Sequence, residues 1–193
     1  MRSHLVKLRW IGVLLMTYLA SGCSEDPTQP GESIVISGSV SGSALSANAR
    51  VLAAWIVADA SPEFLYVFGE GSIDSAAGTF EFRLDRPPPP EGLLVGGIGI
   101  GYIIVTSNQT ATAGTFLSSV PEGELLGAAP QHAIIYRSTE AQVTDWLAAF
   151  PSGLSIGEGV DLPGAFDGYV PSAVDEVEII IADWASLSWV NWH

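Results

Sequence analysis

Nucleophilic hydrolysis requires a nucleophile such as serine beside a base such as histidine, and this chain contains both residue types. His132 and His193 are the two histidines that follow the N-terminal apolar segment. His132 alternates with Ile134 in a β-rich stretch, which is more typical of a partly buried strand residue than of a general base. A nucleophile elbow has the pattern Gly-x-Ser-x-Gly. The segment 38–42 begins and ends with glycine but carries Val40 at its centre, so we expect no nucleophile elbow. The sequence therefore predicts no catalytic residues and no enzyme.

Metal binding is the second chemistry that the residue types allow. A zinc site needs three or four ligands at recognisable spacing, which two isolated histidines do not supply. Oxygen-rich loops can bind calcium, and four acidic residues lie in or beside segments rich in glycine and proline: Asp161, Asp167, Asp175 and Glu176. No contiguous Asp-x-Asp-x-Asp-Gly loop is present. A solvated acidic rim is the simpler interpretation, and no cofactor is expected.

Three tryptophans lie close together near the end of the sequence, Trp184, Trp189 and Trp192, and Tyr169 lies upstream of them. On one extended strand Trp184 and Trp192 would share a face, and Trp189 would occupy the other. The simpler interpretation is that the indoles complete the core. The alternative is an aromatic platform that binds sugars or a partner protein, since exposed indoles offer a large and rigid contact area.

A secretory signal is predicted at residues 1–22. Three basic residues and no acidic one precede an apolar run from Trp10 to Ala20, and small residues follow. An apolar run of this length, at about 1.5 Å per residue, covers roughly half of a hydrocarbon core. The segment is therefore expected to be a cleaved leader and not a membrane span.

Cys23 is the only cysteine, and it ends the run Leu19-Ala20-Ser21-Gly22-Cys23. This run resembles the lipobox of bacterial lipoproteins, in which a peptidase cuts before the cysteine and the cysteine is then acylated. The resemblance implies a bilayer anchor, because each buried CH₂ of an acyl chain contributes about 0.8 kcal/mol. Ser24 replaces the aspartate that favours inner-membrane retention in the enterobacterial family, so we expect the outer membrane of a bacterial cell envelope. The alternative is ordinary secretion with a free thiol at Cys23.

Charge excludes one class of partner. All 21 acidic residues follow Cys23, whereas the basic residues that remain there are four arginines: Arg50, Arg83, Arg86 and Arg137. Such an acidic surface repels phosphate backbones, so no nucleic-acid partner is expected. It also repels anionic lipid, so membrane contact should come from the acylated Cys23 alone. An envelope protein or a glycan remains as a partner.

Two segments follow the predicted leader. Residues 23–33 carry the acylated cysteine and then a polar stretch with two prolines, which predicts a disordered tether. Residues 34–193 are enough for one domain. Its β-rich segments are residues 34–40, 50–58, 65–68, 79–84, 93–105, 133–136 and 177–181. Many short strands separated by turns predict a mainly β fold, a single antiparallel β-sandwich.

Two local sequence patterns predict further features of this fold. Gly96, Gly97, Gly99 and Gly101 interrupt an apolar stretch and are expected to bend or bulge the strand. One short amphipathic helix is also predicted after the capping-box pattern at 139–142. Its apolar stripe is Val143, Trp146, Leu147 and Phe150, and Pro151 and Gly153 end it. The helix is expected to cover an open sheet edge or a barrel mouth.

Three segments carry a second resemblance. Residues 36–40, 49–51 and 79–82 resemble the opening strands of carboxypeptidase-regulatory-like and transthyretin-like domains. The resemblance covers the beginning of the domain and implies a small sandwich that acts as a structural or adhesive module. We therefore predict a lipid-anchored, non-enzymatic structural or binding module of the envelope. The alternatives are a carbohydrate-binding or adhesive module that uses the C-terminal aromatics, and an envelope hydrolase of unrecognised type.

Overall fold

The computed structural model describes residues 33–42, 45, 47–57, 65–94, 96–107, 109–111, 114, 121–141, 145–160 and 168–182. These residues are mainly β-structure, which confirms the predicted fold class at this level. The strands are β1 (Ile34–Gly42), β2 (Arg50–Ile56), β3 (Leu65–Asp74), β4 (Thr79–Leu84), β5 (Ile98–Thr106), β6 (Leu125–Arg137), β7 (Gly153–Val160), β8 (Gly168–Ser172) and β9 (Val177–Ile181). Short 3₁₀ helices occupy Pro90–Gly92, Glu122–Glu124 and Asp145–Ala149.

Seven of these strands close into a barrel. The order around the ring is β5, β2, β3, β4, β1, β9 and β6, and β6 pairs with β5 to complete it. Neighbouring strands are antiparallel except β1 and β9, which are parallel. The predicted antiparallel sandwich is not clearly seen, because the β5–β6 pairing joins the two ends of what would otherwise be an open sheet.

β6 divides the sheet. Residues 127 and 128 of β6 pair with β9, whereas residues 132–137 pair with β7. β8 pairs with β7, so β7 and β8 form a ribbon that leaves the ring. We call the place where β6 exchanges β9 for β7 the fork.

Apolar side chains fill the inside of the barrel. In β4 the buried residues are Phe80, Phe82 and Leu84, which alternate with exposed ones, as expected for a strand with one buried face. Val177 and Ile179 of β9 pack into the same cluster. The two phenylalanines of β4 therefore point into the barrel.

The glycines before and within β5 have two different roles. Gly96 and Gly97 have positive φ and form the turn that precedes β5. Gly99 and Gly101 lie in β5, and a Cβ on Gly101 would come within 2.9 Å of the indole of Trp55. Trp55 is fully buried inside the barrel. β5 pairs with a strand on each side, and its two glycines make room for the indole of Trp55. The irregularity expected in this strand comes after them, where the register against β6 shifts beyond residue 102.

The segment of the predicted amphipathic helix contains a short 3₁₀ helix, Asp145–Ala149. Val143 lies outside the described residues, and the predicted helix is not confirmed. Leu147 and Phe150 are nevertheless buried, and they pack against Ala133 and Ile135 of β6. Among the described residues, none belongs to a helix with the length and apolar character needed to cross a membrane.

Candidate functional site

His132 is the titratable residue at the fork. It lies on β6 and pairs across the strands with Glu158 of β7. Only 8% of its surface is exposed, and its ring nitrogen Nδ1 is buried without a hydrogen-bond partner among the described residues. The sequence predicts a partly buried strand residue here, and the structure buries the side chain almost completely.

Burial controls the protonation of His132. It lowers the pKa of the imidazole below the ordinary value of 6.5, because the charged form loses its hydration. Three carboxylates act in the opposite direction, first Glu158 and then Glu178 and Glu176. All three are exposed, so water screens their fields and burial has the larger effect. The neutral imidazole is therefore the favoured form in the folded chain at neutral pH.

A serine motif that the sequence analysis did not identify lies in β7. The run Gly153-Leu154-Ser155-Ile156-Gly157 matches the pattern of a nucleophile elbow. An elbow requires a sharp turn between a strand and a helix, but this run lies within a strand that pairs with β6 and β8. The hydroxyl of Ser155 donates to the carbonyl oxygen of Ile135 at 3.3 Å. The residues of the motif therefore form part of the sheet.

The calcium candidates are only partly described. Asp175 and Glu176 are exposed in the turn that leads into β9, and Asp161 and Asp167 lie outside the described residues. Within the described part of the chain, no group of three or more histidine, cysteine or acidic side chains is placed to hold a metal ion.

Tyr169 of β8 belongs to an aromatic cluster on the outside of the barrel. Its ring lies 5.9 Å from that of Trp146 at an angle of 60°, and Trp146 meets Phe150 edge-to-face at 5.7 Å. Burial, and then the hydrogen-bonded side chain of Tyr169, raise the pKa of the Tyr102 phenol above its ordinary value. A platform for sugars would present aromatic faces side by side, whereas these rings are tilted and pack against one another.

An open depression of about 330 Å³ lies on the outside of the barrel, across β3, β4 and β1. Its polar lining consists of Ser37, Ser72, Asp74, Thr79 and Glu81. The register of the strands places Glu81 between Ser37 of β1 and Ser72 of β3. We call these five residues the polar wall.

The β3–β4 turn holds one end of the polar wall in place. The carboxylate oxygen Oδ1 of Asp74 accepts hydrogen bonds from the backbone N–H groups of Ala76 and Ala77, each at 3.0 Å. Thr79 pairs directly with Asp74. The sequence analysis did not identify this group of residues. In β4 the exposed Glu81 alternates with the buried Phe80 and Phe82.

Six predicted site residues lie outside the described residues: Cys23, Asp161, Asp167, Trp184, Trp189 and Trp192. Of the three segments that carry the resemblance to carboxypeptidase-regulatory-like domains, residues 36–40 lie in β1, 49–51 lead into β2, and 79–82 lie in β4. Comparison of the chain with family models, with curated proteins and with solved structures gives no match. That resemblance and the resemblance to the lipobox therefore stay predictions.

Proposed function

We propose that this chain is a bacterial lipoprotein that is anchored to the outer membrane through acylated Cys23 and binds an envelope glycan through its barrel. The anchor is inferred from the run Leu19-Ala20-Ser21-Gly22-Cys23. Residues 24–33 serve as the tether that separates the barrel from the bilayer. The module is non-enzymatic in this proposal.

The polar wall is the observation that carries the binding role. Hydroxyl and carboxylate groups stand side by side on three paired strands, so their spacing is set by the sheet and little ordering is needed on binding. Carboxylate and hydroxyl oxygens accept hydrogen bonds from sugar hydroxyls. The polar wall has no basic side chain. Its complementary ligand is therefore rich in hydrogen-bond donors and is neutral or cationic.

Binding of bacterial polysaccharides tests this role. Full-length protein in detergent is titrated with a panel of neutral and amine-bearing polysaccharides, and the Kd is measured for wild type, Glu81→Gln and Ser72→Ala. Loss of one charge-assisted hydrogen bond is expected to weaken binding by roughly tenfold. Glu91→Gln is the matched control, because Glu91 is an exposed carboxylate outside the depression. Equal affinity of the wall variants and wild type, or no binding to any member of the panel, would contradict the proposal.

A further inference from the structure

The barrel is closed through a short pairing at the fork. On the β6 side, β9 is held by the pairs Gly127–Ile181 and Ala128–Ile180. The backbone N–H of Ala182 also donates to the carbonyl oxygen of Leu126 at 3.0 Å. In contrast, β9 pairs with β1 over residues 38–42. The β6–β9 seam is therefore held by fewer backbone pairs than the β1–β9 pairing on the other side of the same strand.

His132 lies on β6 just beyond this seam. The charged groups that face it are Glu158 from β7 and Glu176 and Glu178 from the β9 side. β5, the other neighbour of β6, carries no charged residue. No described group accepts a hydrogen bond from Nδ1, so a proton added to that nitrogen would be buried without a partner.

We propose that His132 is an acid-sensitive latch: the neutral side chain keeps the β6–β9 seam closed, and protonation of the imidazole opens the fork locally. The latch is independent of the glycan-binding role, since it requires neither a ligand nor the anchor.

The direction of the effect follows from burial. The closed barrel holds the pKa of His132 below its ordinary value, whereas the opened fork exposes the ring and returns it toward 6.5. The open form therefore binds the proton more tightly, and the closed form loses stability as the pH falls below about 6.5. Above that pH both forms are neutral, and the seam has its full stability.

Hydrogen exchange on the full-length protein tests the latch. Amide protection in residues 125–128 and 177–182 is compared at pH 7.5 and pH 5.5, after correction for the intrinsic exchange rate. Protonation of a single group can increase the opening equilibrium by up to about tenfold one unit below its ordinary pKa. We expect wild type to lose protection by up to that factor and His132→Gln to lose none. His193→Gln, which keeps His132, should behave as wild type.

Two results would overturn the latch. The first is an equal change of protection in wild type and His132→Gln between the two pH values. The second is an NMR titration of the wild-type imidazoles in which His132 titrates at or above pH 6.5. This measurement needs no variant, so it also applies if His132→Gln does not fold. A His132 that titrates below 6.5, with protection at the seam lost over the same pH range, supports the latch.

Discussion

Gly38 of β1 lies directly against the backbone carbonyl of Val177 in β9, so closely that a Cβ on Gly38 would overlap the carbonyl oxygen. The same relationship recurs between Gly42 and the carbonyl of Ile181, and between Gly127 of β6 and the carbonyl of Ile180. β9 therefore lies between two strands that carry glycine where they approach its backbone. Its insertion closes the ring, and it depends on the absence of side chains at these positions.

Gly38→Ala should destabilise the barrel strongly. The added methyl group cannot be accommodated without moving β1 away from β9, because the clash is with backbone. We expect a loss of about 2–4 kcal/mol in the free energy of unfolding, measured by urea denaturation. Gly123→Ala is the matched control, since a Cβ there meets nothing within 4 Å. Equal stability of the two variants would show that β9 does not pack against Gly38.

Gly101 and Trp55 should be energetically coupled. A Cβ on Gly101 would lie 2.9–3.2 Å from three atoms of the indole. Gly101→Ala is therefore expected to cost about 1–3 kcal/mol in wild type, because the interior has no space for the added carbon. It should cost less in a Trp55→Phe background, which removes part of the ring system. A double-mutant cycle on unfolding free energies measures the coupling, and additive costs would contradict the packing.

Glu70→Gln should be more destabilising than a comparable change at the surface. Arg50 pairs with Glu70 at 2.7 Å and has only 15% of its side chain exposed. It also donates to the carbonyl oxygen of Ala111 at 2.8 Å. Since a partly buried guanidinium would lose its carboxylate, we expect a loss of about 1–2 kcal/mol on thermal unfolding.

Asp85→Asn provides the control for this ion pair. Asp85 and Arg86 lie 3.6 Å apart with 65% and 75% of their side chains exposed. An exposed pair of this kind contributes little. If Asp85→Asn and Glu70→Gln lower the Tm equally, then burial does not distinguish the two pairs.

Glu158→Gln should increase the sensitivity of the protein to acid. Glu158 raises the pKa of His132, so its removal lowers that pKa further and makes protonation of the closed form less favourable. The difference in proton affinity between the closed and open forms then grows, and more stability is lost below about pH 6.5. Thermal unfolding at pH 7.5 and pH 5.5 measures the loss. Glu91→Gln, which changes an exposed carboxylate, is the control. If the Tm of Glu158→Gln falls between the two pH values by no more than that of wild type or of Glu91→Gln, the arrangement around His132 is contradicted.

Strands with a local signal could be predicted from the sequence. β4 alternates apolar and polar residues, β9 is apolar at every position except Glu178, and β2 is a continuous apolar run after Arg50. β7 and β8 were not predicted, because β7 is rich in glycine and β8 is short and contains Pro171. The neighbours with which they pair place them in the sheet. Closure of the ring likewise depends on long-range pairing that leaves no local pattern in the sequence.

The candidate site could be predicted only in part. The alternation around His132 indicated a partly buried strand position, but the fork depends on β6 changing its partner, which periodicity does not reveal. The capping pattern at residues 139–142 predicted a helix. In the structure, the backbone N–H of Ser138 donates to the carbonyl oxygen of Gly97, and the N–H of Ala141 donates to that of Ser138. The chain therefore forms a turn against the loop that precedes β5, and this tertiary contact overrides the local preference.

The lipid anchor is the central claim, and intact mass combined with membrane fractionation tests it most directly. Full-length wild type and Cys23→Ala are expressed in a Gram-negative host. The account predicts that wild type begins at Cys23, carries the mass of its acyl chains and pellets with the outer membrane. The variant should have neither the added mass nor the membrane association. A wild-type protein without acyl mass, cut at another position and present in the soluble fraction, would contradict the account.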